Sequence, residues 1–368
     1  MSNPEKIVFF FEISGRLISC EPLHKGNIND TYVIIFEESG GLMRRYILQR
    51  INREVFKSPV AVMENIAAVT AHLRRRIKVE GGNPRRETLT IIPAKSGDNY
   101  YIDPTGEYWR IYEYIESTVS YSTVDDPLHF CSAGAVIGRF HMMLADFTVA
   151  NLHETIPDFH NTPKRFQNFL EAVGEDAYNR LAEAEEEISL IMERERLAPV
   201  LTDMYRNGDI PLRVIHNDTK FNNILIDKES GEGLCLVDLD TVMPGLLPYD
   251  FGDAIRSGAN TAREEDGKIQ EAGFDIKLFE AFCEGYLPVA RDFLSQGEIK
   301  SLAPAPRLMT FECAMRFLED YLRGDRYFKI SYPEHNLHRA RVQLKLLRDM
   351  EEKASAIDAV LAGLLTDD

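Results

Sequence analysis

One short segment in the second half of the chain combines residue types that could carry out chemistry. His216 is followed two residues later by Asp218, Asn223 comes five residues after that, and Asp238 lies in the next apolar stretch. A carboxylate such as Asp218 can orient an attacking hydroxyl group and accept its proton. Asn and Asp oxygens are ligands that a hard cation such as Mg²⁺ prefers. This spacing is typical of phosphoryl transfer, with Asp218 as the base and with Asn223 and Asp238 on the metal.

The elements around this segment must hold the two predicted metal ligands close together. Leu212–Ile215 is predicted to be a short strand before the segment, and Ile224–Ile226 and Cys235–Leu239 to be adjacent strands after it. This hairpin would place Asn223 and Asp238 side by side. The alternative is an ordinary hairpin with polar turns, although two short strands rarely carry this many acidic residues.

Two more carboxylates follow the predicted metal strand. Asp250 and Asp253 are three residues apart, so they would share one face of a helix. They could take part in the chemistry, because they follow the metal strand directly. They could equally cap the next helix and pair with Arg256.

The first third of the chain is predicted to be rich in strands. Thr31–Phe36 and Tyr46–Ile51 surround a Gly-containing turn, which predicts a hairpin, and apolar residues at helical spacing follow over Ser58–Arg76. Three more strands are predicted over Thr88–Pro93, Tyr100–Asp103 and Tyr108–Ile115.

After Ser120 the pattern becomes helical. Helices are predicted over Pro127–Leu144, from Thr162 as the N-cap with Pro163 at the first helical position, over Ala172–Met204, and through most of Phe274–Leu365. The order of elements predicts an α+β chain with a strand-rich part followed by a larger, mainly helical part.

Composition excludes some classes of partner. The net charge is −17, whereas nucleic-acid binding needs a basic surface. The five cysteines are widely spaced and form no C-x-x-C pair, as expected for reduced thiols rather than zinc ligands or a disulfide framework. Ile7–Ile13 is too short for a signal sequence or a membrane span. A cytoplasmic protein with no nucleic-acid or membrane partner is therefore expected.

Several stretches together resemble a known family. His216–Leu225, Val237–Thr241 and Asp250–Asp253 look like the catalytic motifs of the aminoglycoside phosphotransferase superfamily. Within it, the chain is most similar to the N-acetylhexosamine 1-kinases. That finer similarity is carried by Gly26–Tyr32, Glu312–Asp325 and Tyr332–Asn336.

The resemblance implies a protein-kinase-like, two-lobed fold. A nucleotide-binding lobe would span residues 1–118, a catalytic and substrate-binding lobe would span 119–368, and ATP with Mg²⁺ would bind in the cleft between them. The reaction implied is phosphorylation of the anomeric hydroxyl of N-acetylglucosamine or N-acetylgalactosamine.

The resemblance also implies roles for individual residues. The loop Gly26–Thr31 would cover the phosphates and the sugar, with Gly26 and Asn27 at the nucleotide. Its alternative is a common Gly-Asn turn. Tyr112–Ile115 would be the hinge that meets adenine, which makes Glu113, Tyr114 and Ile115 nucleotide-binding residues.

The sugar would be bound by Asn29, Asp218, Arg316 and Tyr327. For Arg316 the alternative is a structural ion pair with Asp320 one helical turn on. For Tyr327 it is a core aromatic side chain whose hydroxyl group is satisfied.

One departure from the protein-kinase pattern concerns the third strand, where kinases carry a phosphate-binding lysine. Here Gln49 takes that position, and Arg50 should face the other side of the strand. Either Gln49 binds the phosphates without charge, or another cation substitutes. Glu64, the expected helix partner of such a lysine, could instead be an exposed helical residue.

Two other functions fit parts of the sequence. A kinase of another small alcohol, such as choline, homoserine, methylthioribose or an aminoglycoside, would use the same chemistry, and an acidic protein attracts cationic substrates. Such relatives are not expected to share Glu312–Asp325 and Tyr332–Asn336. An inactive nucleotide-binding scaffold would have lost the base or a metal ligand, and all three residues are present. The sequence predicts neither the preferred sugar epimer nor an oligomeric state.

Overall fold

The computed structural model describes residues 3–23, 28–263, 266 and 268–366, which form two compact units. The first unit comprises the chain up to Thr118, Asp146–Pro157 and Val237–Met243. The second comprises Val119–Ala145, Asp158–Leu236 and the chain from Pro244 onward. The first division falls after Thr118, and two later segments, one of which carries Asp238, pack with the first unit.

An antiparallel sheet forms the core of the first unit. Its strands are β1 (Arg16–Pro22), β2 (Asp30–Glu37), β3 (Met43–Arg50), β4 (Ile91–Ile92), β5 (Tyr101–Ile102) and β6 (Tyr108–Glu113). They are arranged in the order β1-β2-β3-β6-β4, with β5 paired to β6. Thr31 lies opposite Gln49, and Gln49 lies opposite Arg110. Opposed residues share one face of a sheet, so these three side chains meet there.

The predicted β2–β3 hairpin is confirmed, and two helices complete the first unit. They are α1 (Pro4–Ile7) and α2 (Pro59–Val79). α2 begins after Ser58 with a proline at its first turn, where the missing N–H costs nothing. Strand β1 has no counterpart in the sequence prediction, because Arg16–Pro22 lacks a clean alternation of apolar and polar residues.

The second unit is mainly helical. Its helices are α3 (Pro127–Met143), α4 (Thr162–Glu175), α5 (Glu185–Met192), α6 (Val200–Arg206), α7 (Leu247–Gly258), α8 (Ile276–Ala290), α9 (Gln296–Ser301), α10 (Ala305–Leu322), α11 (His335–Glu352) and α12 (Ala354–Thr366). The short strands from β7 onward are β7 (Thr118–Val119), β8 (Arg213–Ile215), β9 (Ile224–Asp227), β10 (Gly233–Leu236) and β11 (Met243–Gly245). β9 and β10 form the antiparallel hairpin that the sequence predicts.

The helices of this unit pack closely, and the unit also contains residues 216–223, the predicted catalytic segment, which is called the catalytic segment below. A Cβ atom on Gly285 of α8 would lie 1.8 Å from the carbonyl oxygen of Cys131, so only glycine lets α8 approach α3 this closely. α10 is buried among α4, α7 and α11, with Phe311, Met315 and Leu318 in its core. None of the helices in the described ranges has the length and apolar composition that crossing a membrane requires.

Two sequence predictions for this unit are wrong. The single helix over Ala172–Met204 is broken, because α4 ends at Glu175 and Asp176 adopts a left-handed conformation with φ of 37°. Two shorter helices, α5 and α6, cover the rest. Thr162 is not an N-cap: Asn161 caps α4 by accepting a hydrogen bond from the Lys164 N–H group. The Thr162 hydroxyl group instead donates to Glu312.

Candidate active site

The predicted base lies in the segment between β8 and β9. A single 3-10 turn, Phe221–Asn223, ends this segment and brings Asn223 back to Asp218. The Asn223 side-chain nitrogen Nδ2 donates to the Asp218 backbone oxygen at 2.9 Å and to its carboxylate oxygen Oδ2 at 3.0 Å. This leaves the amide oxygen Oδ1 of Asn223 as the group suited to a cation. The donor type therefore fits a magnesium ligand.

The surroundings of Asp218 keep its carboxyl group ionised. Burial alone would raise its pKa, but the positive charge of Lys220, the neighbouring His216 and the hydrogen bond from Asn223 lower it. Lys220 Nζ lies 3.4 Å from Asp218 Oδ1. The Asp218 side chain keeps 30% of its surface exposed, so a substrate hydroxyl group can reach it.

Asp250 holds the backbone at the start of the segment 216–223 through hydrogen bonds. Its two carboxylate oxygens accept the N–H groups of His216 and Asn217, each at 2.7 Å. One of them also lies 2.9 Å from His141 Nε2. Burial would raise the pKa of Asp250, but these hydrogen bonds and the nearby histidines lower it, so a buried carboxylate is stabilised there.

The two carboxylates at the start of α7 therefore differ. Asp250 is fully buried against the catalytic segment and caps no helix, since α7 has no side-chain cap. Asp253 pairs with Arg256, with Nη2 2.8 Å from Oδ1. Of the possibilities that the sequence left open, the pairing with Arg256 is confirmed at Asp253, capping of the helix is wrong, and a part in the chemistry stays a prediction.

Asp238, the second predicted metal ligand, belongs to the first unit. It has a left-handed backbone with φ of 61° and an exposed side chain, and it precedes the 3-10 turn Leu239–Thr241. Asn223 lies in the second unit, so the pairing of these two residues on magnesium stays a prediction. Among the described residues, no three His, Cys, Asp or Glu side chains form a group that could hold a metal. A cation here would rely on the Asn oxygen and on phosphate oxygens as well.

Both ends of the Gln49 side-chain amide already form hydrogen bonds within the protein. Its Nε2 donates to Thr31 Oγ1 at 3.1 Å, and its Oε1 accepts from Arg110 Nε and Nη2 at 3.0 and 2.8 Å. Arg50 faces the opposite side of β3, where it pairs with Asp30 and Glu107. An uncharged phosphate contact from Gln49 would have to break one of these bonds.

Arg110 places a buried positive charge beside Gln49. Its Nη1 lies 2.5 Å from Asp240 Oδ1, and the two side chains are 1% and 4% exposed. Burial would lower the pKa of Arg110, but Asp240, Tyr112 and Asp238 raise it above its usual range. Arg110 is therefore a cation near the position of the missing lysine, although its guanidinium group already bonds Gln49 and Asp240.

The helix partner expected for a third-strand lysine does not face the sheet. Glu64 is 57% exposed and pairs with His153, with 2.7 Å between Oε2 and Nε2. Its neighbour Asn65 points inward instead and bonds the backbone of His153 and Val242. The exposed-residue interpretation of Glu64 is confirmed.

The predicted nucleotide-binding residues fall into two groups. Gly26 and Asn27 lie outside the described residues. At the predicted hinge, the side chain of Glu113 forms a bidentate ion pair with Arg85, and the Tyr114 N–H donates to Arg45. Within the described part of the chain, the N–H of Ile115 has no acceptor. A nucleotide contact at this hinge would therefore come from the backbone.

Asn29, predicted to bind sugar, is engaged at both ends of its amide. Its Nδ2 donates to Asp240 Oδ2 at 2.6 Å, and its Oδ1 accepts the N–H of Asn52 at 3.0 Å. Contact with a substrate would require one of these bonds to open.

Arg316 and Tyr327 line one cavity of about 290 Å³ in the second unit. Around the Arg316 guanidinium lie the rings of Phe159, Tyr327 and Phe328, with centroids 5.1, 5.8 and 5.7 Å away. Burial would lower the pKa of Arg316, but Tyr327 and Glu312 raise it. The remaining lining includes Arg165, Glu319 and Arg323.

Both structural alternatives for this pair are wrong. Asp320 does not pair with Arg316, because it accepts the backbone N–H groups of Arg326, Tyr327 and Phe328 at 2.8–2.9 Å. Tyr327 is 50% exposed and is not a core residue. The structure brings Arg316 and Tyr327 together in an accessible cavity, as a binding role requires.

A family model described as "Phosphotransferase enzyme family" (APH) matches residues 19–291, well over half of the chain. The chain belongs to the phosphotransferase enzyme family. The predicted superfamily is thereby confirmed, and the sequence motifs around His216–Asn223 lie within the matched region.

Solved structures agree with this assignment at the level of fold. A microcompartment-associated aminopropanol kinase is 17% identical, with a TM-score of 0.63, covering 96% of this chain and 97% of its own. An amicoumacin kinase bound to AMP-PNP, Ca²⁺ and Ami is 14% identical, with a TM-score of 0.59 and coverages of 95% and 92%. A choline kinase from Streptococcus pneumoniae is 16% identical, with a TM-score of 0.53 and coverages of 94% and 96%. The kinase-like fold, with a strand-rich N-terminal region and a helical C-terminal region, is confirmed.

Each unit contains polar contacts near the predicted site residues that the sequence prediction missed. Lys220 sits inside the recognised motif, so its proximity to Asp218 could have been read from the sequence. Arg110 and Asp240 could not be paired in advance, because they are far apart in the sequence and charged side chains usually face solvent. The same holds for a buried His160–Glu312 contact in the second unit.

Proposed function

We propose that this phosphotransferase transfers the γ-phosphoryl group of ATP to the anomeric hydroxyl of an N-acetylhexosamine, N-acetylglucosamine or N-acetylgalactosamine, yielding the sugar 1-phosphate. The observation that carries the reaction type is the contact between Asn223 Nδ2 and the Asp218 carboxylate, at 3.0 Å. This contact fixes an ionised base and presents an oxygen for a cation beside it. Phosphoryl transfer depends mainly on such positioning and on charge stabilisation.

Each residue of the segment has a part in this chemistry. Asp218 orients the sugar hydroxyl and takes its proton as the phosphoryl group arrives. Lys220, 3.4 Å from Asp218, supplies positive charge for the transferred phosphoryl oxygens. Asn223 and Asp238 are the proposed magnesium ligands. The metal, when bound, neutralises charge that develops on the phosphates.

The proposed nucleotide contacts use backbone groups at the hinge. The side chain of Glu113 is held by Arg85, while the Ile115 N–H lacks an acceptor among the described residues. Such an N–H is a suitable donor to a purine ring nitrogen, because an amide without an acceptor gains by pairing. Gly26 and Asn27 remain the proposed phosphate-covering residues.

The cavity beside α10 supports a neutral, oxygen-rich substrate. Choline and related kinases must bind a cation, which aromatic rings do well. Here the three rings already surround the guanidinium of Arg316, and Arg165 also lines the cavity, whereas Arg323 is paired with Glu175 and Glu319. Arg316 would donate hydrogen bonds to sugar hydroxyl or acetamido oxygens, with Tyr327 packing against the ring.

The second candidate is a kinase of an amino alcohol. The net charge of −17 favours it, because an acidic protein concentrates cations near its surface. The aminopropanol and choline kinases described above have the same fold. A cationic headgroup would however have to displace or repel the arginines of the cavity.

An ATP-coupled screen decides between the two. The purified protein is incubated with ATP, Mg²⁺ and one member of a panel of N-acetylhexosamines, unmodified hexoses, amino alcohols and aminoglycosides, and ADP release is followed. The proposal expects the N-acetylhexosamines to be consumed, with phosphorus NMR showing an anomeric phosphate. ADP release with choline or aminopropanol alone would replace the sugar assignment by the amino-alcohol one.

A further inference from the structure

The peptide that leads into Asp218 is held from two sides. Asn217 has a left-handed backbone with φ of 66°, a conformation that few residues other than glycine, asparagine and aspartate adopt. Its N–H donates to Asp250 Oδ1 at 2.7 Å, and its carbonyl oxygen lies 3.2 Å from His160 Nε2. The orientation of this peptide determines the direction in which the Asp218 side chain leaves the backbone.

His160 bridges this carbonyl to a buried carboxylate. Its other ring nitrogen, Nδ1, lies 2.6 Å from Glu312 Oε1. A carbonyl and a carboxylate can only accept, so both hydrogen bonds form when the ring carries both protons. The second oxygen of Glu312 accepts from the Thr162 hydroxyl at 2.6 Å. His160 and Glu312 are 7% and 0% exposed, so this pair is shielded from water.

Other groups around the pair keep Glu312 charged. Burial would raise the pKa of Glu312, but His160 and Arg316 lower it to about 2. Arg165 also feels the charge of Glu312, and the ring of Tyr249 packs on His160 with centroids 5.2 Å apart. His160 and Glu312 thus form a buried contact that links α10 to the catalytic segment.

We propose that His160 and Glu312 are positioning residues for phosphoryl transfer, which act by holding the Asn217 carbonyl and so the direction of Asp218. The inference rests on the proposed function, because it takes Asp218 as the base. Glu312 also lies one helical turn before Arg316 on α10, so the same pair ties the catalytic segment to the proposed sugar-binding helix.

The hydrogen bonds of the pair go to the Asn217 carbonyl and to Thr162 rather than to the Asp218 carboxylate, so its loss should affect turnover more than ATP binding. A displacement of the reacting group by about 1 Å can cost about a hundredfold in rate. We therefore expect Glu312→Gln and His160→Gln to lower kcat by about 10- to 100-fold, with KM for ATP changed less than about twofold. A purely structural role would lower stability and leave kcat alone.

A graded series and a matched control make the test specific. Gln at position 160 keeps one donor for the Asn217 carbonyl, whereas His160→Leu keeps none, so kcat should fall in the order wild type, Gln, Leu. Glu187 is the control, because it is also buried and paired, with Arg341 Nε 2.7 Å from Oε1, on helices away from the segment. Glu187→Gln should cost similar stability and leave kcat within about twofold.

The assay uses the full chain, ATP and the best substrate found in the screen, well below the unfolding temperature, with Asp218→Asn alongside. A reduced kcat in Glu312→Gln and His160→Gln, with the control unaffected, is the expected result. Wild-type kcat in both variants while Asp218→Asn is inactive would overturn the positioning role and leave the proposed function standing. Full activity of Asp218→Asn would instead refute the proposed base.

Discussion

The buried Arg110–Asp240 pair permits a quantitative test of the first unit. Replacing Arg110 by Met removes the guanidinium group, whose Nη1 lies 2.5 Å from Asp240 Oδ1. The Asp240 carboxylate, only 4% exposed, then loses this ion pair. It also removes both donors to Gln49 Oε1. Breaking one side of a buried ion pair costs about 3–5 kcal/mol, because the remaining charge is uncompensated. We expect a loss of this size in the free energy of unfolding.

The chain contains one tryptophan, Trp109, which is buried in β6 next to Arg110. Its fluorescence therefore reports unfolding of the first unit in urea. Arg110→Met should shift the urea midpoint down by at least ~1 M, given slopes of about 1–3 kcal/mol per molar urea. Arg110→Met combined with Asp240→Asn should recover much of the loss. If the two single effects add to within about 0.5 kcal/mol in the double variant, the two side chains are not coupled and the reasoning is refuted.

Three further predictions concern other parts of the site. Gln49→Lys restores the residue type of protein kinases, but its ammonium group would face Arg110, so it should lower the stability of the first unit by roughly 2–4 kcal/mol without tightening ATP binding. Trp109 unfolding curves and an ATP titration check this, and tighter ATP binding would contradict it. Asp250→Asn should lower kcat by about 10- to 100-fold with an unchanged KM for ATP, since an amide cannot accept from both His216 and Asn217 as the carboxylate does; steady-state kinetics with unaltered kcat would exclude this role. The pKa of Glu312 is about 2 in the folded protein, against an ordinary value of 4.5. The stability that this carboxylate contributes is therefore complete above about pH 4.5 and is lost as the pH falls toward 2. Unfolding followed by far-UV circular dichroism should show a shallower loss of stability over that range for Glu312→Gln than for the wild type.

The catalytic segment was predictable from sequence because its chemistry is local. His216, Asp218 and Asn223 lie within eight residues of one another, and in the structure the Phe221–Asn223 turn brings Asn223 back to Asp218. The apolar runs on either side similarly predicted the β9–β10 hairpin. Patterns of this kind depend on neighbours along the chain, where periodicity is informative.

The partners of buried charges could not be predicted in the same way. His160 and Glu312 are separated by 152 positions, and a lone Glu in a helical pattern is normally assigned to the surface. The wrong N-cap at Thr162 has the same origin, because its hydroxyl group is taken by Glu312 rather than by the helix terminus. Tertiary contacts of this kind override local preference.

The hinge and the cavity were predicted in part: their residues were named from the sequence, but the contacts of those residues were not. The Glu113–Ile115 run was predicted by resemblance, but the commitment of Glu113 to Arg85 became clear only from the packing of β6. Arg316 and Tyr327 were predicted as a pair. What the sequence could not predict is that three aromatic rings surround the guanidinium of Arg316.

The most direct test of the proposed mechanism compares Asp218→Asn with the wild type in ATP binding and in turnover of the best substrate. The variant is expected to bind ATP with nearly the same affinity, because the proposed contact of Asp218 is with the substrate hydroxyl rather than with the nucleotide, while kcat falls by at least ~10². Undiminished turnover of the variant would contradict the account, since no proton acceptor at position 218 would then be needed.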